Sequence, residues 1–116
     1  MHPYFGNEAA REASRRHGVV VESWSPIAQG GVLDDEVIGK VAAAHGRTAS
    51  QVTLRWHIQR GDVIFPKSSR RERMEENFAI FDFELDDDEM AAISALDKGE
   101  AGRTGPNPDT FAYIPE

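Results

Sequence analysis

Two short apolar runs, each cut off by a proline, constrain this chain more than any other feature. Val19-Val20-Val21 opens a β-branched run that reaches Trp24 and stops at Pro26, and Val63-Ile64-Phe65 stops at Pro66. β-Branched and aromatic residues favour strands, and proline cannot continue a hydrogen-bonded ladder. The first run starts continuously apolar, the pattern of a parallel strand buried on both faces. Helix signals alternate with these runs. Asn7 before Glu8 and Gly18 after His17 bracket a helix over 8–17. Asp34 caps a helix running to about His45, closed by Gly46. Thr48 and Gln51 form a capping box for a helix to about Gln59, closed by Gly61. Ser69 with Glu72 forms a second box, opening a helix at about Arg70, and Asp86 with Glu89 a third, for a helix to about Leu96. Phe81, Phe83 and Leu85 alternate with Asp82 and Glu84 as a short extended segment. Residues 98–116 read as a loop that Phe111, Tyr113 and Ile114 could anchor.

Helix–strand–helix–strand–helix order implies parallel strands joined by helical crossovers. Two strands, with a stub at His2-Pro3-Tyr4, leave two edges of unpaired backbone groups. Parallel sheets normally carry more strands and have both faces covered. The 116 residues therefore read as one partial α/β domain, 1–116, without repeats or low-complexity stretches. A hydrophobic fraction of 40%, or about 49% with the ten glycines, is ordinary for a globular chain, which excludes a disordered tail or a fibre. Thirteen basic and twenty acidic side chains give a net charge of −7, unfavourable for general binding to nucleic acid or an anionic membrane. No cysteine is present, so thiolate metal sites, disulfides and a cysteine nucleophile are excluded, and a reducing, cytoplasmic setting is expected. No apolar run has the length of a membrane span, and no basic-then-apolar leader is visible.

Chemistry concentrates at the two strand ends. Four of the thirteen basic residues fall between positions 67 and 73, in Lys67-Ser68-Ser69-Arg70-Arg71-Glu72-Arg73. This local inversion of charge follows a strand and opens a helix. α/β folds place ligands at carboxyl ends of strands, and helix N-termini offer free N–H donors to an anion. Lysine adds a point charge and arginine a planar fork for phosphate oxygens. A solvated helix start and a phosphate pocket are equally compatible with that composition. At the other end stands Trp24-Ser25-Pro26-Ile27-Ala28-Gln29-Gly30-Gly31. Trp24 either offers a flat face to an aromatic ring or fills core, and the residues alone favour core. The helix pair around Gly46-Arg47-Thr48 superficially resembles a helix-turn-helix, but packed crossover helices look the same and the net charge opposes DNA binding. His2, His17, His45 and His57 lie in four different elements without metal-ligand spacing, so no metal site is expected. Six carboxylates between Asp82 and Glu89 read as a solvated, helix-capping face.

Taken together, the two strand-end motifs make the chain resemble the C-terminal part of an aldo-keto reductase, of the bacterial 2,5-diketo-gluconate reductase type. The resemblance runs through His2-Pro3-Tyr4, Trp24-Ser25-Pro26-Ile27 and Thr48-Ala49-Ser50-Gln51-Val52-Thr53-Leu54-Arg55-Trp56. Its most specific part is Pro66-Lys67-Ser68, then Arg73, Glu76-Asn77 and Phe81-Asp82-Phe83-Glu84-Leu85. It implies an incomplete (β/α)8 TIM barrel, with the last two to three strands, their covering helices and a C-terminal loop. It implies NADPH as cofactor and partner, with Lys67, Ser68, Ser69, Arg70 and Arg73 around the 2′-phosphate and Glu76 and Asn77 on the adenine. Trp24 would stack on the nicotinamide, and Ser25, Pro26, Ile27 and Gln29 would line the pyrophosphate. Ala28 stands where related sequences often have glycine. The family's catalytic Asp, Tyr, Lys and His match no position here. Tyr4 and His2 match the segment after the sixth strand, and Lys67 matches a phosphate ligand. The parent reaction would be NADPH-dependent reduction of an aldehyde or ketone. The chain alone is expected to be inactive, as a truncated portion that carries only the cofactor side. The alternative is a non-catalytic nucleotide-binding or self-associating module, in which a second copy covers the strand edges as a homo-oligomer.

Overall fold

The computed structural model describes residues 1–112; the anchors expected at Tyr113 and Ile114 lie outside them. The chain begins with a tight turn in which His2 and Phe5 exchange backbone bonds of 3.1 and 2.8 Å. Helix α1 comes next (Glu8–Arg16), then strand β1 (Glu22–Ser23) and a short 3₁₀ turn (Ala28–Gly30). Helices α2 (Glu36–His45) and α3 (Ala49–Gln59) lead to strand β2 (Val63–Ile64). Helices α4 (Arg71–Phe78) and α5 (Asp87–Ser94) and a second 3₁₀ turn (Gly99–Gly102) complete the order. β1 and β2 pair in parallel, Glu22 with Val63 and Ser23 with Ile64.

Capping explains most helix boundaries. The Thr48–Gln51 and Asp86–Glu89 boxes form as the sequence implies, each with both reciprocal bonds. Gly46 ends α2 in the left-handed region at φ 60, a conformation glycine reaches without steric cost. Three expected caps are corrected. Asp35, not Asp34, starts α2, accepting from Val37 N at 2.9 Å and Ile38 N at 3.3 Å; Asp34 belongs to the turn before it. Asn7 stands at the N-cap of α1, but its backbone is left-handed and its side chain makes no capping bond. Ser69 does not cap α4. The Ser68 hydroxyl instead folds onto Arg70, accepting from its N at 3.1 Å and donating to its carbonyl at 3.1 Å. Such local bonding competes with a regular cap, and α4 starts at N-cap Arg70 without a side-chain bond.

The core sits between α2, α3, α5 and the loop after β1. Val32, Ile38, Val52, Trp56 and Ile93 are completely buried there, with Leu85 beside them. Trp56 donates its indole N–H to Ser94 Oγ at 3.0 Å, and the Arg60 guanidinium covers its ring at 4.0 Å. Gln51 joins α3 to α4, donating to the carbonyls of Glu76 and Ala79 at 3.1 and 3.2 Å.

The strands are shorter and barer than the sequence implies. The ladder reaches the opening valines only through the Val21 carbonyl and leaves out Phe65, and Val19 and Val20 are 58% and 68% exposed. A doubly buried strand needs a neighbour on each face, and among the described residues nothing covers these. His2-Pro3-Tyr4 forms the turn to Phe5 rather than a strand stub. Phe81 to Leu85 forms no strand, with Phe81 exposed and only Leu85 fully inserted. Helix α5 stops at Ser94, two residues before Leu96.

The tail is not free of the body. Gly102 passes so close to the first turn that an added Cβ would fall 1.7 Å from the Tyr4 carbonyl oxygen. A backbone oxygen cannot yield as a side-chain tip would. Gly102→Ala is therefore expected to lift the tail from that turn, and tryptic cleavage after Arg103 should accelerate several-fold. An unchanged cleavage rate would show that the two segments are not packed together.

Candidate functional site

Parallel pairing of β1 and β2 sends both strand ends out on the same side. The loop after β1 and the segment after β2 then face each other across a cavity of about 450 Å³. From the first loop come Ile27 and Gln29; from the second come Pro66, Lys67 and Ser68; from α4 come Arg73, Glu76 and Asn77. Thr48, Ala49 and Ser50, at the start of α3, form part of the wall. The structure thus brings seven of the twelve expected site residues to one place: Ile27, Gln29, Lys67, Ser68, Arg73, Glu76 and Asn77.

The electrostatics of that cavity are unequal. Arg71 pairs with Glu75 at 2.8 Å and Arg70 approaches Glu72 at 3.8 Å. Lys67 and Arg73 have no carboxylate within ion-pair distance among the described residues. In a chain of net charge −7, two exposed cations without counter-ions face one cavity. The first turn of α4, uncapped by any side chain, begins beside them. Such an arrangement suits an anion with several oxygens. Glu76 is already engaged on one oxygen by the Thr48 hydroxyl at 2.6 Å. Asn77 is half-buried in the wall.

Five expected residues lie elsewhere. Ser69 and Arg70 are exposed outside the cavity lining, and Ser25 and Pro26 belong to the loop but do not line the cavity, Pro26 being buried with its carbonyl turned towards His57. Trp24 opens onto a different cavity of about 430 Å³, with His2, Phe5, Arg103 and Thr104 around it. Trp24 is 65% exposed, so it does not fill core; Gly105 lies against one edge of its ring, where an added Cβ would approach to 2.9 Å. Sequence reading missed Thr48 and Ser50 as wall residues. The capping box was visible, but that its threonine also holds Glu76 requires α3 and α4 to meet, which no local pattern encodes.

Tyr4 and His2 have structural work. The Tyr4 hydroxyl donates to Asp35 at 2.7 Å, and this bond, with burial adding to it, pushes its pKa up to about 12. The Lys98 ammonium lies 3.7 Å from the centre of the Tyr4 ring. His2 is 2% exposed, with Nε2 3.2 Å from the Thr104 hydroxyl and Nδ1 without a partner among the described residues. Burial first, and neighbouring positive charges second, lower its pKa to about 4.

A family model described as "Aldo/keto reductase family" matches residues 1–98. Among curated proteins, the chain is 42% identical over 113 residues to an aldo-keto reductase of Mycobacterium sp. (strain JLS), covering 97% of this chain and 40% of that protein. It is 43% identical to methylglyoxal reductase DkgA of Salmonella typhimurium and 43% identical to glyoxal reductase of Bacillus subtilis, covering 96% and 97% of this chain and 40% of each relative. Among solved structures it resembles Gox0644 in its apo form and a point mutant of Gox0644 in complex with NADPH. Each has a TM-score of 0.94 and 44% identity, over 97% of this chain and 41% of that one. The chain therefore spans about 40% of the length of the curated relatives it matches.

The lowered His2 pKa sets a pH dependence. In the unfolded chain His2 takes up a proton near its ordinary value of 6.5; in the folded chain it resists to about 4. The unfolded state binds more protons between those values, so stability is full above 6.5 and falls as pH drops towards 4. The shift corresponds to a loss on the order of 3 kcal/mol. Urea unfolding at pH 7 and pH 4.5 should show it, with a smaller loss in His2→Gln. Equal losses in both proteins would rule His2 out as the cause.

Proposed function

The chain belongs to the aldo/keto reductase family, and from that premise we propose that it forms the phosphate and adenine side of an NADPH cleft. The observation that carries this reading is that Lys67 and Arg73, without an ion-pair partner among the described residues, face one cavity in an acidic chain. Lys67 supplies a compact charge and Arg73 a planar fork to the 2′-phosphate, which NADPH has and NADH lacks. Asn77 and the free oxygen of Glu76 offer acceptors and a donor to the adenine edge. Gln29 and Ile27 close the opposite wall along the pyrophosphate. Trp24, exposed on the separate cavity, offers a ring to the nicotinamide. Ser25 and Pro26 act behind the wall by shaping the loop, and Ser69 and Arg70 contribute positive potential and hydrogen bonding at the rim. When bound, NADPH supplies the hydride for reduction of an aldehyde or ketone.

No proton donor for that reduction is proposed within this chain. Tyr4 is committed to Asp35 with its pKa raised, and His2 is buried and neutral near pH 7. The chain alone binds the cofactor without turning over a carbonyl. A second reading, self-association, is favoured by an apolar groove of about 770 Å³ between β2 and α4, where Phe65, Phe78 and Phe81 stand exposed. A monomer in light scattering at high concentration counts against it.

Calorimetric titration at low salt tests the first reading. NADPH is expected to bind more tightly than NADH, and Arg73→Ala to weaken NADPH at least tenfold while leaving NADH nearly unchanged. Equal affinity for both cofactors, or carbonyl reduction by the pure chain, would contradict it.

A further inference from the structure

Ser23, His57 and Asp62 form a buried polar cluster where the two strands, α1 and α3 meet. The side chains of His57 and Asp62 are 0% and 1% exposed. His57 Nδ1 stands 2.8 Å from Asp62 Oδ2, and its Nε2 stands 3.0 Å from the Pro26 carbonyl oxygen. The other oxygen of Asp62 accepts from Arg11 Nη1. Ser23 Oγ lies 3.3 Å from both Asp62 Oδ2 and His57 Nδ1.

The partners fix the hydrogens. A main-chain carbonyl can only accept, so Nε2 carries a hydrogen. Asp62 is also an acceptor: burial favours its neutral acid, but the hydrogen bond from His57 and the charge of Arg11 outweigh burial and hold its carboxyl below the ordinary value. Nδ1 therefore carries a hydrogen too, and the Ser23 hydroxyl donates to Asp62. The ring then donates from both nitrogens, to Asp62 and to the Pro26 carbonyl. The other charged or titratable groups that act on this pair are the Met1 amine, His2, Arg11 and Arg60.

The backbone on either side of Pro26 gives this bond its consequence. Ser25, Ala28 and Gln29 have φ of 53, 49 and 55, three non-glycine residues in the left-handed region within a single loop. Side chains with a Cβ resist that region, and such backbone persists only where its surroundings over-determine it. The bonds from Ala28 N to Ser25 O at 2.9 Å and from Gly30 N to Ile27 O at 2.8 Å are internal to the loop. The His57–Pro26 bond ties it to α3. Asp62 in turn immediately precedes β2, and Lys67 stands shortly beyond that strand's end. One cluster thus connects the two walls of the cavity.

We propose that His57 is a positioning residue: its buried, doubly protonated ring, held by Asp62, fixes the Pro26 carbonyl and with it the left-handed loop 25–29 against the cavity that Lys67 and Arg73 face. The role assigned to the loop rests on the nucleotide reading; the state of the ring does not.

Long-range ¹H–¹⁵N correlation on the histidine-labelled full chain, without ligand, reads the ring directly. Two nitrogen-bound hydrogens on His57 are expected; a neutral ring with one would overturn the proposal. Hydrogen exchange then reads the loop. In His57→Leu the amides of Ala28, Gly30 and Gly31 should exchange at least tenfold faster, while Val52 in α3 keeps its protection. His57→Gln, which retains a side-chain N–H donor, should recover part of the difference. Unchanged loop exchange in both variants, or equal acceleration throughout the chain, would overturn the positioning role. NADPH titration of the same proteins separates the two readings. Doubly protonated His57 and a His57-dependent loop, with no NADPH affinity in the parent chain, would remove the nucleotide reading and leave the positioning role intact.

Discussion

Everything that the candidate site requires depends on a parallel ladder two residues long. Glu22 lies opposite Val63 and Ser23 opposite Ile64, with the Val63 amide bonded to the Val21 carbonyl at 2.9 Å. A slip of one residue would turn Ser23 out of the buried cluster and separate the two strand ends. So short a ladder does not stand by itself. It is held from one side by the Ser23–His57–Asp62 cluster and from the other by the packing of the loop after β1, through Ala28 and Val32, into the helical core. Electrostatics, strand register and core packing therefore meet at the two strands whose ends lead to the cavity.

The exposed apolar surface has the same architectural origin. A (β/α)8 barrel covers each strand on both faces, by side chains inside and helices outside. This chain spans about 40% of the length of its relatives, and its strand-flanking residues are patterned for such cover. Val19, Val20, Phe65 and Phe81 are exposed among the described residues, while the α2–α3–α5 core is closed. The helical layer is packed on a buried core; the sheet is left largely uncovered among the described residues. The candidate site residues stand at the boundary between the two.

Local chemistry was the legible part of the sequence. The boxes Thr48–Gln51 and Asp86–Glu89 form as read, because a capping box is decided within a single turn. The grouping of Lys67, Arg73, Glu76 and Asn77 was visible because a strand end and the helix after it lie close in sequence. Where several local partners compete, reading failed. Asp35 took the cap expected of Asp34, and Ser68 turned onto Arg70 and left Ser69 without the cap. Long-range relations were not legible at all. Nothing around His57 shows that its ring meets both Asp62 and Pro26, the latter 31 residues away, in one buried cluster. The valine run misled for a related reason: it records the environment of a strand with neighbours on both faces, not the bare one among the residues described.

The most direct measurement is the hydrogen-exchange rate of the Val63 amide, the donor of the bond that sets the register. Protection comparable to that of Val52 and Trp56 in α3 is expected, since the ladder and the helical core are locked together through His57. Exchange at the rate of an unstructured amide, with α3 still protected, would contradict it. The helices would then be folded without the strand pairing that brings the two halves of the candidate site together.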